Sequence, residues 1–322
     1  MSCNVGVIGA GALGTAISKS IAINVDNVFL YARRESVSNK INSTRYNSGY
    51  YPNLLLDNNI IATSDFNDLK DCGVIFLCIP SSVIKDTTKK LVNIISEDAI
   101  LVSTAKGLDA HSYKRMSELI GEYHNSIVVF SGPNIAAEIA LNLPTATTIA
   151  SKNPENLDAV KKVLSSEEFK VSTTDDVIGT ELCGVIKNIV AISLGICEGM
   201  DINDNARFAV LTKGFMETKE IIKSSGGKSS TVDSYCGFGD IVTASTLSVS
   251  RNHTLGVFYG QKLRIDEQKS GVIFEGKQSS QIMKEICDAR NISSSIIDFV
   301  HEIIIEEMNP RESFKKLWSK IE

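Results

Sequence analysis

Six residues near the start of the chain constrain its fold more than any others. Gly9-Ala10-Gly11-Ala12-Leu13-Gly14 follow an apolar, β-branched run at 4–8 and lead into a helix-patterned segment at 15–23. Glycines at this spacing, between a strand and a helix, make the turn of a βαβ unit that holds a dinucleotide. Gly9 permits the tight turn, Gly11 lets the backbone approach a pyrophosphate, and Gly14 allows close strand–helix packing. Ala12 and Leu13 complete the loop, and the unpaired amides of the helix start are donors to the anion. A glycine turn without a ligand is the competing reading, and the strand-to-helix setting weighs against it.

The rest of the first half continues the same alternation. Strand patterns at 4–8, 28–31, 74–79, 100–104, 127–130 and 147–150 are separated by helix-length segments such as 83–95 and 154–164. The second of these has Asn153 as N-cap and Pro154 at its first position. Alternation of this kind predicts an α/β fold with a doubly wound parallel Rossmann sheet covered by helices on both faces. From residue 176 onward the pattern changes to helical stretches at 177–198, 206–224, 279–290 and 296–308, with no strand run between them. A second, all-helical domain follows. The expected division is a dinucleotide-binding domain at 1–175 and a helical substrate-binding, catalytic domain at 176–322. A length of 322 residues, 43% of them hydrophobic, suits two cores. The polar loop 224–230 is expected to be a mobile surface connection that does not pack.

Charge and cysteine usage exclude several classes. A net charge of -5 gives no general attraction to nucleic acid or to an anionic membrane, so neither is an expected partner. The seven cysteines, at 3, 72, 78, 183, 197, 236 and 287, contain no CxxC pair. Reduced thiols in a cytoplasmic protein, without a metal site, are the expectation. The N-terminus has no basic n-region, so no signal peptide is expected. The longest apolar stretch, 185–197, is interrupted by Lys187 and Asn188 and falls short of a bilayer span, so no membrane insertion is expected. The oligomer is left open, a homodimer being one reading.

Cofactor choice turns on the end of the second strand, where a binder of NAD usually has an acid. Here Arg33 and Arg34 stand in that place, able to stack on adenine and to pair with a 2′-phosphate, which favours NADP(H) over NAD(H). A solvated basic loop is the alternative.

Catalytic chemistry is expected on the long apolar helix. Between Glu181 and Glu198 the only charged residue is Lys187, with Gly184 and Ala191 on its face and Asn188 beside it. A lysine there either snorkels to the surface or meets an anion, and partial desolvation lowers its pKa toward the range of acid–base catalysis. Gly237-Phe238-Gly239-Asp240 then supplies a carboxylate, and Ser250-Arg251-Asn252 a guanidinium fork with two neutral polar groups, a set suited to a phosphate monoester. Asp240 and Ser250 could equally be ordinary helix caps. Lys106, in Thr104-Ala105-Lys106-Gly107, and Gly132 and Asn134, in Ser131-Gly132-Pro133-Asn134, follow the fourth and fifth expected strands, where open parallel sheets bind ligands.

With these residues in view the chain resembles the bacterial-type NAD(P)-dependent glycerol-3-phosphate dehydrogenases over nearly its whole length. Gly9–Gly14 resembles that family's cofactor loop, Thr104–Leu108 its TKGL-type loop, and Ser131–Glu138 its SGPxFAxE stretch. Val185–Ile192 is similar to its LKNVxAI helix, Gly237–Asp240 to its GxGD turn, and Ser250-Arg251-Asn252 with Gly256 to its SRNxxxG signature. The resemblance implies dihydroxyacetone phosphate reduction to sn-glycerol 3-phosphate for phospholipid synthesis. It makes Lys187 the proton carrier, with Asp240 and Lys106 beside it in catalysis. It implies substrate contacts from Lys106, Gly132, Asn134, Lys187, Asn188, Asp240, Ser250, Arg251 and Asn252. It also puts Tyr50, Lys106, Ala136, Arg251, Ile273 and Glu275 near the cofactor, with the glycine loop and the two arginines. Two departures stand out: Gly199-Met200-Asp201-Ile202-Asn203-Asp204-Asn205 replaces a GxGxGDN segment, and Tyr50-Tyr51-Pro52 a YLP.

Two other functions compete. Another two-domain dehydrogenase, acting on ketopantoate or a hydroxy acid, would also use a lysine but has no use for Ser250-Arg251-Asn252 beside Asp240. An inert NAD(P)-binding sensor would have no need of Lys187.

Overall fold

The computed structural model describes residues 4–247, 250–265 and 274–321. All the expected strands form, as Asn4–Ile8 (β1), Asn27–Tyr31 (β2), Val74–Leu77 (β4), Ile100–Ser103 (β5), Ile127–Ser131 (β6) and Thr145–Ala150 (β7). Ile60–Thr63 (β3) and Phe169–Thr174 (β8) join them to give one eight-stranded sheet in the order β3-β2-β1-β4-β5-β6-β7-β8. Its helices are Ala12–Ile21 (α1), Glu35–Thr44 (α2), Ile84–Leu91 (α3), Met116–Gly121 (α4), Ala136–Ala140 (α5) and Pro154–Leu164 (α6).

Strand polarity corrects the expectation of an all-parallel sheet. β7 pairs antiparallel with β6, and β8 runs parallel to β7, so the last two strands oppose the rest. Helix length alone does not set the polarity: α5 has five residues, but the four-residue 3-10 turn Phe66–Leu69 is enough to return the chain between β3 and β4, which run parallel to β2 and β1. The two unexpected strands have weak signals: β3 is only four residues long, and β8 alternates Phe169 and Val171 with Lys170 and Ser172.

Burial on both faces fixes the strands' composition. In β4, Val74 and Phe76 enter one apolar layer with Val5, Val7, Val28 and Leu30, while Ile75 and Leu77 enter the other with Ile8 and Leu101. A strand buried on both sides reads as an unbroken apolar run, which is why β4 is simply Val-Ile-Phe-Leu.

The helical part comprises Val177–Gly199 (α7), Asp204–Ser224 (α8), Asp240–Thr246 (α9), Arg251–Gly260 (α10), Glu275–Ala289 (α11), Ser295–Ile304 (α12) and Pro310–Trp318 (α13). The chain divides into two compact units, Met1–Ala105 with Lys114–Val177, and Lys106–Tyr113 with Ile178–Glu322. The segment Lys106–Tyr113 thus packs with the helices although it follows a sheet strand, and Leu108 is buried in the helical core.

α7 is the axis of that core. At 23 residues, with a most apolar 18-residue window of mean hydropathy 1.6, it is long and apolar enough to cross a membrane, contrary to the expectation that its apolar stretch falls short, yet 83% of that window is buried inside the structure. Against it lies α10 at unusually close range. A Cβ on Gly195 or Gly199 would collide with the carbonyl oxygens of His253 and Val257, and one on Gly256 or Gly260 with those of Ile192 and Ile196. The four glycines interlock the two helices backbone to backbone.

Loop 224–230 packs better than its polarity suggests. A Cβ on Gly227 would come within 2.8 Å of the Ile222 side chain and 3.0 Å of the Gly179 amide, and the next residues, Ser229–Asp233, form a 3-10 turn with Thr231 and Val232 buried. Small size at Gly227, rather than apolar character, is what lets the loop dock.

Candidate active site

In the helical unit, Asp240 is the centre of a charged cluster. It opens α9 after a π-helical turn at Tyr235–Gly239, where a Cβ on Gly237 would collide with Val232. Its side chain is 3% exposed, and its two oxygens are both engaged: Lys187 Nζ donates to Oδ1 at 2.9 Å and Lys106 Nζ to Oδ2 at 2.5 Å. An aspartate so buried requires such partners. Asp240 is therefore no ordinary helix cap. It fixes two ammonium groups on one carboxylate.

Lys187 has an altered proton affinity. Burial along α7 pushes its ammonium down to about 8, with Lys106 adding to the effect and Asp240 opposing it. A lysine near pH 8 exchanges its proton at physiological pH, which one at its ordinary value of 10.5 does not. Its side chain keeps 14% exposure, so it is neither sealed in the core nor snorkelled into solvent.

The Ser250-Arg251-Asn252 signature starts α10. Ser250 is its N-cap, the hydroxyl accepting the His253 N–H at 3.3 Å, so the capping role considered for Ser250 is real. Arg251 is exposed at the first helical position. Glu275, first residue of α11, lies in the electrostatic field of Arg251, Lys106 and Lys187; burial raises its carboxyl above the ordinary range and the three cations oppose that rise. Asn252 accepts the Gly276 N–H through Oδ1 at 3.2 Å. Asn188 is buried on α7, and among the described residues no hydrogen bond links it to the Lys106–Asp240–Lys187 cluster. Ile273 lies outside the described residues.

The sheet unit holds the expected nucleotide loop. Gly9, at φ +112°, leaves no space for a side chain beside the Cys78 carbonyl, and its amide donates to Tyr31 O at 3.0 Å. A Cβ on Gly14 would strike Gly9 itself. Gly11 differs: its nearest neighbour would be the Tyr50 hydroxyl at 4.0 Å, so the loop is open there. Gly11 is also the N-cap of α1 and offers no side chain to the helix amides. An uncapped helix start beside an open glycine fits a diphosphate. Arg33 and Arg34 are exposed just past β2, the strand paired with β1, so they stand at the strand end next to the loop.

At the end of β6, a Cβ on Gly132 would press on Thr147 at 3.1 Å, and Asn134 accepts from the Thr147 hydroxyl at 3.1 Å. The Asn134 Nδ2 is buried and has no hydrogen-bond partner among the described residues. Ala136 starts α5. Two supports of the loop escaped the sequence reading. Asn47 donates to Ala10 O at 3.0 Å and to Thr15 Oγ1 at 2.8 Å, and Tyr51 to Ala12 O at 3.2 Å. Neither has a spacing signal, because both act across more than thirty residues of chain.

Residues 4–157 match the family model for the N-terminal part of NAD-dependent glycerol-3-phosphate dehydrogenase, and residues 176–315 that for its C-terminal part. The chain is 33% identical to glycerol-3-phosphate dehydrogenase [NAD(P)+] of Halothermothrix orenii, over 98% of this chain and 95% of that one. It is also 33% identical to the enzyme of that name from Clostridium botulinum, over 97% and 96%. The crystal structure of glycerol-3-phosphate dehydrogenase from Coxiella burnetii superposes with a TM-score of 0.91 at 28% identity, covering 99% of both chains. A ketopantoate reductase from Ralstonia eutropha reaches only 0.61 at 13% identity over 98% and 99%, a likeness of fold alone. A match of both family models in order, together with near full-length relatives at one-third identity, means that the chain belongs to the NAD-dependent glycerol-3-phosphate dehydrogenase family.

Proposed function

We propose that the protein interconverts dihydroxyacetone phosphate and sn-glycerol 3-phosphate with NAD(P)(H), in the cytoplasm, as a source of the glycerol backbone of phospholipids. The observation that carries this reading is Lys187 held on buried Asp240 beside Lys106, on an enzyme family's own scaffold. NAD(P)H, held by the glycine loop Gly9–Gly14, would supply hydride chemistry for C2 of the ketone. Lys187 then gives its proton to the carbonyl oxygen, and takes it back from the C2 hydroxyl in the oxidation direction. Lys106 adds positive charge where the oxygen becomes anionic, and Asp240 keeps both ammonium groups in place. Arg251, with Ser250 and Asn252, takes the phosphate as a planar fork, and Gly132, Asn134 and Asn188 complete the substrate contacts.

In this reading the sheet unit is the nucleotide domain. Gly9, Gly11, Ala12, Leu13 and Gly14 take the pyrophosphate, Arg33 and Arg34 the adenosine end, and Tyr50, Lys106, Ala136, Arg251 and Glu275 add contacts to the cofactor. The burial of α7 supports a protein that does not insert in membranes. A homodimer is the proposed assembly, read directly by sedimentation.

A ketopantoate-type substrate leaves Arg251 without its phosphate, and an inert sensor leaves Lys187 without a task. The test is oxidation of NADH and NADPH with dihydroxyacetone phosphate, run beside ketopantoate and other phosphate-free keto acids. Turnover of dihydroxyacetone phosphate with both cofactors is expected. Faster turnover of a phosphate-free acid, or cofactor binding without turnover, overturns the reading.

A further inference from the structure

Three helices of the helical unit meet at one point where a methyl group would displace two side-chain ends. A Cβ on Gly276, second residue of α11, would lie 2.7 Å from Asn252 Oδ1 on α10 and 2.7 Å from Ile192 Cδ1 on α7. In that space the Gly276 N–H donates to Asn252 Oδ1 at 3.2 Å. The N-cap of α11, Phe274, has no side-chain cap of its own, so Asn252 supplies one from another helix. A carboxamide has one acceptor end and one donor end, and a partner on either end fixes the other. With its oxygen turned to a backbone amide, the Asn252 carboxamide has its NH2 group as the end directed away from that amide.

We propose that Gly276 is a positioning residue of the substrate site, its amide orienting the Asn252 carboxamide so that the NH2 group is the end presented to substrate oxygen. The inference rests on the functional reading above. It explains why an asparagine follows Arg251, since the neighbouring guanidinium and the fixed NH2 group are both pure donors, matched to an anion that only accepts. It also gives Gly276 a task distinct from that of Glu275, its neighbour in sequence. Glu275 lies in the field of Arg251, while Gly276 acts on Asn252.

The test is a double-mutant cycle on the full-length enzyme, with Gly276→Ala and Asn252→Ala made singly and together. Wild-type turnover of dihydroxyacetone phosphate is measured first, and its absence overturns the functional reading itself. With turnover present, Gly276→Ala is expected to raise the KM for dihydroxyacetone phosphate about tenfold, as loss of one hydrogen bond to a charged ligand does, with the NADPH KM unchanged. In the Asn252→Ala background the same change should add little, because its target is gone. Additive effects, an unchanged substrate KM, or a shift confined to NADPH overturn the positioning role.

Should Gly276→Ala fail to fold, hydrogen exchange of the Gly276 amide in glycine-labelled protein replaces it. Asn252→Ala should speed that exchange, and glycerol 3-phosphate should slow it in wild type but not in Asn252→Ala. Exchange that glycerol 3-phosphate slows equally in both proteins overturns the proposal.

Discussion

Lys187 is placed so that its proton affinity depends on two neighbours of opposite effect. If Lys187 is the proton donor, as proposed, its protonated form is the competent one for ketone reduction, and because burial brings it to about 8, kcat/KM in that direction should fall as pH rises through 8. In the oxidation direction the neutral form is required, and the rate should rise over the same interval. Lys106→Met removes a like charge, so the limb should move to higher pH. Asp240→Asn removes the partner that favours the ammonium, so it should move to lower pH. A pH–rate series on the two variants in which both limbs move the same way would contradict the assignment to Lys187. Asp201 is a second residue-scale case. It lies in the segment that departs from the GxGxGDN pattern of the resemblance, and its φ of +57° is left-handed. It terminates α7, with the Ile202 amide reaching back to Cys197 O at 3.0 Å and the Asp201 amide to Glu198 O at 2.9 Å. The left-handed turn is thus made by an aspartate, at a cost in strain. Asp201→Gly should stabilise the protein by on the order of 1 kcal/mol, read as a raised midpoint of thermal unfolding.

At the scale of elements, Lys187 and Arg251 belong to helices whose spacing is set by glycines. Gly195 and Gly199 on α7 and Gly256 and Gly260 on α10 each lie four residues apart, one turn, and each faces a carbonyl of the other helix. The glycine of the SRNxxxG signature is thus a packing residue. Gly256→Ala should force the helices apart and destabilise the fold by about 1–3 kcal/mol, the usual size of overpacking, measured as a lowered denaturant midpoint. Wild-type stability for Gly256→Ala would mean that α10 is held by other contacts. This interlock also marks the limit of what the sequence made legible. α7 was readable because its lone lysine in an apolar run is a local signal, and β4 because an unbroken apolar run needs no partner to identify it. The antiparallel pairing of β6 with β7 was not, since strand polarity is set by which backbones pair across the sheet, Val129 with Ala150 for instance, and local pattern does not define it. Asn47 and Tyr51 were hidden for a related reason, as their hydrogen bonds to the glycine loop join residues distant in sequence.

At the scale of the whole molecule, each unit has its own apolar core and its own half of the proposed chemistry. The layers around Val5, Val7 and Phe76, and around Ile75 and Leu77, belong to the sheet unit; the cluster around Ile189, Val190 and Ile241 belongs to the helical unit. Nucleotide contacts proposed at Gly9–Gly14, Arg33 and Arg34 lie in the first, and the proposed proton carrier Lys187, with the cofactor contacts proposed at Lys106, Arg251 and Glu275, in the second. Separate cores imply that a change in one half need not disturb binding in the other. Lys187→Met keeps the length and apolar stem of the side chain while deleting the ammonium, so α7 should remain packed. NADPH binding, followed by its own fluorescence, should stay within a factor of about two, whereas kcat should fall roughly 10²–10⁴-fold, the worth of a positioned acid. Asp240 loses one of its two partners in this variant, yet Lys106 still neutralises it, so a cooperative unfolding transition near that of wild type is expected. A matched loss of NADPH affinity and folding stability would make Lys187 a structural lysine, and near-normal kcat would remove it from the chemistry altogether.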